Sequence, residues 1–157
     1  MYTTLLPSPV GDLLLRADAD GRLTELFTRH DGATTTDWPF PAISAQIDAY
    51  FAGEREDFDL ALAPHGTAFQ MRVWDELTKI PYGETISYSE LARRLGDPKL
   101  VRAVGTANGR NPISIIIPCH RVIGADGSLV GYGGGLERKV WLLEHEAVTS
   151  GRRLPVG

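Results

Sequence analysis

Cys119, His120 and Arg121 stand side by side in the stretch IIIPCHRVIG, Ile115 to Gly124, and Cys119 is the only thiol among 157 residues. Two chemistries fit such a cysteine. Buried among isoleucines, it has a raised pKa and stays inert. Beside a histidine, it can lose its proton and attack an electrophile. Unassisted, with a pKa of about 8.5, only a few per cent of a thiol is thiolate near neutral pH. A base or a cation must therefore sit close to it. Adjacent side chains diverge, so a bridging water joins His120 to the sulfur more readily than a direct bond. Pro118 holds Ile117 extended and offers no N–H, which fixes the approach to the thiol. A carboxylate such as Glu146 could orient the imidazole and stabilise its cation, as in other nucleophile–base–acid sets. His145, beside Glu146, is an equal candidate as the imidazole partner. Spacing alone leaves an inert cysteine and an activated one both open.

The chain around these residues narrows the setting. One cysteine excludes an intramolecular disulfide, and no cysteine pair offers a zinc site. His30, His65, His120 and His145 lack metal-ligand spacing, so no metal is expected. This cysteine usage fits a reducing, cytoplasmic compartment. No apolar run approaches the roughly 20 residues that span a bilayer, and the first residues lack a signal-peptide pattern. A soluble protein without a membrane partner is expected. At 43% apolar the chain can bury a real core. Its net charge of −4 hides an asymmetry: residues 1–66 carry 4 basic and 11 acidic side chains, and residues 67–157 carry 12 and 9. The two parts stand at −7 and +3. Between Tyr88 and Arg121 lie Arg93, Arg94, Lys99, Arg102, Arg110 and Arg121 against only Glu90 and Asp97. Such a segment suits a polyanion or forms a solvated basic face.

These residues need elements to position them. TTLLPSP, GDLLLRA and RLTELF read as short strands around Pro/Gly and DADG turns, an antiparallel hairpin or meander. AISAQIDAYFAGE sets Ile43, Ile47, Tyr50 and Phe51 on one helical face, stopped at Gly53. REDFDLALA reads as a strand, and a Pro/Gly linker follows. The boundary between the two units falls near Gly66, giving 1–66 as an N-terminal structural domain and 67–157 as the site-bearing domain. TAFQ is a capping box from Thr67 to Gln70. Phe69, Val73, Leu77 and Ile80 follow on one stripe that Pro81 ends. SYSE is a second capping box, from Ser87 to Glu90, opening the short helix ELARRL. Gly96, Asp97 and Pro98 then turn the chain into KLVRAVGTAN. Two short helices joined this way match a helix-turn-helix. The second carries Arg102 with Ala103, Gly105 and Ala107, small residues that permit close approach. An ordinary helical hairpin fits the same pattern. NPISIIIPCHRVIG reads as a short buried strand, GSLVGYGGG as a glycine-rich loop, and LERKVWLLEHE as a final helix with Leu136, Val140 and Leu143 inward. The loop is not a phosphate-binding motif, because no Gly-Lys-Ser/Thr follows it.

Taken together, SYSELARRLG, RAVGTANGRNPISIIIPCHRV and GYGGGLERKVWLLEHE, in that order, resemble the O6-alkylguanine-DNA alkyltransferases. These are the methylated-DNA–protein-cysteine methyltransferases. The resemblance runs almost unbroken from Thr67 to Glu146; before Thr67 only the order of strands and helix is similar. It implies an α+β protein, with a small RNase-H-like N-terminal domain and a helical C-terminal domain holding a winged-helix-like helix-turn-helix. It implies DNA repair without a cofactor by a monomeric protein whose partner is double-stranded DNA bearing O6-alkylguanine.

Carried over position by position, the resemblance makes Cys119 the nucleophile that accepts the alkyl group. His120 becomes its base through a water, with Glu146 behind it. Asn111 supports the turn at the site, and Tyr88 donates toward guanine N3. Arg102 enters the base stack that the extruded nucleotide leaves, with Ala103, Gly105, Arg110 and Arg121 on the DNA-binding surface. The backbone of Cys119 and Val122 binds the exocyclic amine, and Tyr132 and Gly133 belong to the loop that closes the pocket. Ser114 departs from the proline common at this position in relatives. The zinc ligands and cysteine-rich regulatory extension of some relatives are missing. Two other classes are distinguishable by experiment: a non-catalytic module that binds alkylation damage, and a cysteine hydrolase that turns over repeatedly.

Overall fold

The computed structural model describes residues 1–28, 32–129, 132 and 135–151. The chain divides into two compact units. The first comprises Met1–His65 together with Pro112–Ile116, and the second comprises Gly66–Asn111 and Ile117–Gly157. The chain therefore leaves the second unit for five residues just before the cysteine motif.

In the first unit, β1 (Tyr2–Leu6), β2 (Leu13–Ala17) and β3 (Leu23–Phe27) form an antiparallel meander in that order. Leu15 of the central strand faces Thr4 on one side and Leu26 on the other. Leu13, Leu14, Leu15 and Ala17 are all buried, so β2 is covered on both faces. The turn before β3 is made by the Asp18 carboxylate, which accepts from the Asp20 and Arg22 amides, and by Gly21 at φ 79°. Proline opens α1 (Pro41–Phe51), where its missing N–H costs nothing. Ile43, Ile47 and Tyr50 face the core from that helix.

Two segments expected as strands are not strands. REDFDLALA meets β3 at a single bridge, Leu23 to Leu62, closed by the Leu23 N–H to Ala61 O and the Ala63 N–H to Leu23 O. Residues 112–116 meet it at another, Leu26 to Ile113. There the Leu26 N–H donates to Pro112 O at 2.8 Å, and the Ser114 N–H to Leu26 O at 2.9 Å. The same strand thus serves two pieces of chain, and neither has room to extend. Ile115 then turns at φ 75°, with the Ile116 N–H on Ser114 O at 2.8 Å. A β-branched residue in the left-handed region costs about 1–3 kcal/mol and breaks any strand pairing.

The second unit is mostly helical. α2 (Ala68–Leu77) opens on the full capping box: Gln70 N–H to Thr67 Oγ1 at 3.1 Å and Thr67 N–H to Gln70 Oε1 at 2.9 Å. It ends at Leu77, earlier than Pro81 suggests, and Ile80 is buried beyond it. Gly66 precedes it because a Cβ there would lie 2.4 Å from the Trp74 ring. β4 (Ile86–Ser87) runs directly into α3 (Tyr88–Arg94). Ser87 caps α3 by accepting from the Glu90 N–H at 3.0 Å, while Glu90 turns outward to Arg93 and Arg94. Gly96 at φ 101° and the Asp97 cap lead through a 3-10 turn, Pro98–Leu100, into α4 (Val101–Gly109). Val104, Ala107 and Asn108 face inward on α4, whereas Arg102, Ala103, Thr106 and Arg110 are exposed. The Trp74 indole N–H donates to Ala107 O at 2.9 Å and ties α2 to α4.

The last helix, α5 (Leu136–Ser150), is turned from its expected face. Leu143 is buried as expected, but its buried neighbours are Lys139, Leu142, Glu146 and Ala147, while Leu136 is 49% exposed. Two ionic side chains occupy the inward stripe because each finds a partner there. No helix among the described residues is long and apolar enough to cross a membrane.

Candidate active site

Cys119 sits at the start of a 3-10 turn, Cys119–Arg121, which runs into β5 (Val122–Ile123). Pro118, at φ −81° and ψ 65°, forms the inverse γ-turn before it, closed by the Cys119 N–H to Ile117 O at 2.8 Å. β5 pairs in parallel with β4, Ile86 to Val122 and Ser87 to Ile123. That register carries Tyr88, the first residue of α3, to the cysteine turn. Two amides hold the turn in place. Asn111 Nδ2 donates to Ile117 O at 2.7 Å, and Asn108 Nδ2 to Cys119 O at 3.3 Å.

Behind the cysteine lies a buried ionic network. His120 Nε2 is 2.6 Å from Glu146 Oε2, and neither side chain is more than 1% exposed. Arg121 grips the same carboxylate with Nε at 2.8 Å and Nη2 at 3.1 Å. Its Nη1 donates to Ile80 O at 2.7 Å, and its guanidinium lies over the Tyr82 ring. Burial by itself would raise the Glu146 pKa; the charges and hydrogen bonds of His120 and Arg121 outweigh it and keep the carboxylate ionised. Burial lowers the His120 pKa; Glu146 pulls the other way, while the Arg121 and Lys139 charges reinforce the lowering. A pKa below the ordinary 6.5 favours the neutral imidazole at pH 7, and its buried Nδ1 has no hydrogen-bond partner among the described residues. A neutral imidazole fixed through one nitrogen offers the other as a proton acceptor.

The cysteine has its own surroundings. Cys119 is 5% exposed, and burial raises its pKa. A hydrogen bond from Asn111 and the positive charge of Lys139 work against that rise. Lys139 is fully buried, donates to Val122 O at 2.6 Å and lies over the Tyr88 ring. Its own pKa is lowered to about 8 by burial, which the Cys119 charge partly opposes. The Tyr88 pKa is raised by burial and then by the Cys119 charge, with a hydrogen bond from Asn108 lowering it. This arrangement can hold a thiolate, take its proton, and present a phenol to whatever the sulfur attacks.

Of the expected site residues, Cys119, His120, Glu146, Asn111, Tyr88 and Val122 come together here. Arg102 and Ala103 lie on the exposed face of α4, Arg110 is exposed at its C-cap, and Gly105 faces Tyr88, whose ring lies 3.8 Å from where a Cβ would stand. Arg121 needs correction. It is 6% exposed and spends its guanidinium on Glu146 and Ile80, so it is not part of an exposed DNA-binding surface. A charged residue next to a site reads as a surface contact until its buried counter-ion is seen. His145 stacks on Trp141, and Glu146 is paired with His120 instead. Tyr132 is half-buried and its carbonyl accepts from the Gly135 N–H. Gly133 lies outside the described residues. Lys139 and Asn108 escaped sequence reasoning. Lys139 stands seven residues before Glu146 and shares its helix face; Asn108 stands four after Val104, on the buried stripe of α4.

Comparison with known proteins covers both units. Residues 1–64 match the 6-O-methylguanine DNA methyltransferase, ribonuclease-like domain, and residues 68–148 match the DNA binding domain of the same description. The methylated-DNA–protein-cysteine methyltransferase of Methanosarcina acetivorans is 48% identical over 153 residues, 93% of this chain and 98% of that one. The protein of that name from Mycobacterium tuberculosis is 50% identical over 92% of this chain and 91% of its own length. The crystal structure of the M. tuberculosis O6-methylguanine methyltransferase superposes with a TM-score of 0.86 at 48% identity, covering 94% of this chain and 93% of that one. A second structure from that organism, its OGT in complex with DNA, gives 0.86 at 49% identity, with 95% and 94% covered. With both halves matched and near-complete relatives at about half identity, the chain belongs to the 6-O-methylguanine DNA methyltransferase family.

Proposed function

We propose that this protein repairs DNA by moving the alkyl group of O6-alkylguanine, and less readily of O4-alkylthymine, irreversibly onto Cys119. The observation that carries this reading is the relay behind the only thiol: a neutral His120, held by an ionised Glu146, with its second ring nitrogen unpartnered among the described residues. Cys119 gives its proton to His120 through a bridging water. The sulfur lone pair forms the S–C bond as the C–O6 bond breaks, and that bond's electron pair passes into the guanine ring. A hydrogen bond from Tyr88 to N3 meets the charge, and the released guanine ends with the proton the thiol lost. The thioether is a poor leaving group, so each molecule acts once. No cofactor takes part in these steps.

A base inside a duplex must be extruded before the sulfur can reach it, and unstacking costs a few kcal/mol. Arg102, exposed on α4, fills the gap in the stack, and the basic face of the second unit supplies phosphate contacts. The protein acts as a monomer, in a reducing cytoplasm that keeps the thiol free. The test is intact mass after mixing with an O6-methylguanine duplex. One methyl per chain, mapped to Cys119, is expected. Unchanged mass with tight binding would mean a damage-binding module, and repeated turnover would mean a hydrolase.

Two variants probe the parts separately. Arg102→Ala should slow transfer from duplex about tenfold while leaving transfer from the free alkylated base unchanged, as expected when a stacking contact worth about 1–3 kcal/mol is lost. Equal slowing on both substrates would remove its role in the stack. Lys139→Met takes a positive charge from beside the sulfur. A weakening of the thiolate by one pKa unit is about 1.4 kcal/mol, so transfer at pH 7 should slow about tenfold. A pH–rate profile of the variant that overlays the parent's would contradict this.

A further inference from the structure

We propose that Arg121 is a positioning residue for alkyl transfer: by gripping the Glu146 carboxylate it keeps His120 a proton acceptor for Cys119 at neutral pH. The inference rests on the function proposed above and gives a part to a buried charge that the transfer steps leave unused. Arg121, His120 and Glu146 are all buried. Glu146 Oε2 lies 2.6 Å from His120 Nε2 and 3.1 Å from Arg121 Nη2, and Oε1 lies 2.8 Å from Arg121 Nε. The Gly83 N–H also donates to Oε1, at 3.4 Å. The third arm of the guanidinium, Nη1, donates to Ile80 O at 2.7 Å. An ionised carboxylate only accepts, so the imidazole carries its proton on Nε2, and a second proton would go to Nδ1.

A relay of this kind fails if the histidine takes its second proton from solvent. A carboxylate 2.6 Å from an imidazole, alone in a buried site, favours the imidazolium, because opposite charges attract more strongly where water is excluded. With Nδ1 already protonated, the ring could not receive the proton of Cys119. Arg121 removes that pull. A guanidinium keeps its charge throughout the working pH range, and its fork spans both oxygens of the carboxylate, so the imidazole faces a pair without net charge.

The groups around the ring work together in this. Burial is the largest cause of the lowered His120 pKa; the Arg121 charge and then the Lys139 charge add to it, and Glu146 opposes it. Among the described residues, Glu146 and Lys139 face the turn from α5, and Cys119 and Arg121 lie on the turn itself. Tyr82 lies against Arg121, and Tyr88 against Lys139. α2 also packs against the turn, and its buried residues Val73, Trp74 and Leu77 do not ionise. Stability gives no separate reason for the arginine, since an apolar pair in place of a buried ion pair is often neutral or stabilising.

Histidine carbon-13 NMR on the full chain tests this. The His120 signal is assigned by its loss in His120→Gln, and His65, in the first unit, is the internal reference. Arg121→Gln removes the charge and keeps an amide that can donate to the carboxylate. Its His120 signal should titrate at higher pH than the parent's, with the His65 midpoint unmoved. Arg121→Lys keeps the charge without the fork, and its midpoint should lie closer to the parent's. The lower inflection of the pH–rate profile for transfer from an O6-methylguanine duplex should move the same way. At pH 6 the Arg121→Gln rate, relative to its own plateau, should be about tenfold below the parent's. Should Arg121→Gln fail to fold, Arg121→Met takes its place with the same expectation. An arginine that only braces the turn to Ile80 O would lower the plateau and leave the midpoint and the inflection in place, and that result would overturn the proposal. Gln and Lys variants displaced equally would overturn it too. A parent that transfers no methyl group overturns the proposed function, and with it the part given to His120; parent transfer with an unmoved midpoint overturns this inference alone.

Discussion

Cys119→Ala is expected to abolish alkyl transfer and leave DNA affinity within about twofold of the parent, since the phosphate contacts that dominate affinity are untouched. The chain has no second thiol to take over the reaction. The basic side chains proposed to meet DNA, Arg102 on the outer face of α4 and Arg110 at its C-cap, are exposed, whereas the turn that holds the sulfur is buried. The fold should survive the change as well. Replacing a buried thiol by a methyl removes one polarisable atom, and losses of that size are about 1 kcal/mol. Three measurements on one sample decide the matter: intact mass after exposure to lesion-bearing duplex, affinity for the same duplex, and a melting curve. No mass gain, retained binding and a nearly unchanged melt are expected together. Loss of binding along with transfer would mean that the thiol is a structural residue. A mass gain in the variant would move the acceptor elsewhere in the chain.

The catalytic motif was legible because its parts are close in sequence, and the network behind it was not because its parts are distant. Cys119, His120 and the constraint that Pro118 puts on the approach to the thiol follow from consecutive residues, while the inverse γ-turn at Pro118 is a finding of the structure. The capping box at Thr67, the Ser87 cap and the Asp97-Pro98 restart are equally local, and they place α2, α3 and α4, although Glu90 turns outward to Arg93 and Arg94 and does not close a second box. Long-range partners decide the rest. The run from Pro112 to Ile117 is β-branched and reads as a strand, yet β3 accepts it at one bridge and Ile115 is forced to a positive φ. Polarity misled most on α5. A stripe of Leu136, Val140 and Leu143 is a sound expectation for a helix whose charges face water. Here Lys139 and Glu146 face inward, because the Val122 carbonyl accepts a hydrogen bond from the one and His120 and Arg121 donate to the other. Arg121 was misplaced for the same reason. The resemblance supplied Tyr88 as a partner of the cysteine, and it singled out Glu146, which the residues alone offered as one candidate carboxylate.

Glu146→Ala should be the most damaging single change to stability, and a paired replacement should separate that damage from the chemistry. The carboxylate answers two bonds from Arg121 and one from His120, all in a buried setting. Removing it leaves the buried Arg121 guanidinium with only the Ile80 carbonyl and the Tyr82 face among the described residues. Breaking one partner of a buried ion pair costs about 3–5 kcal/mol, a large part of the roughly 5–15 kcal/mol that holds a domain together. For a chain of this size the melting temperature should fall by about 10 °C. Transfer should slow about a hundredfold or more, as expected when a general base loses its orienting carboxylate. Replacing both charges with apolar residues, Glu146→Leu with Arg121→Met, should recover most of the lost stability, because an apolar pair packs where an orphaned cation cannot. It should not recover transfer, since His120 Nε2 still lacks its acceptor. The pH dependence of the parent carries the same signature. The folded Glu146 pKa lies below its ordinary value of 4.5, so below that pH the unfolded chain binds a proton that the folded chain refuses, and stability falls as acid is added. His120 acts in the same direction from a higher pH: its folded pKa is held below 6.5, so only the unfolded chain protonates there as the pH first drops through that value. Denaturant titrations between pH 7 and pH 3 should show the parent losing stability in both windows and the paired variant only in the upper one, because it lacks the Glu146 carboxylate. A parent whose stability is flat across that range would mean that the Glu146 carboxylate carries no stabilising charge in the fold.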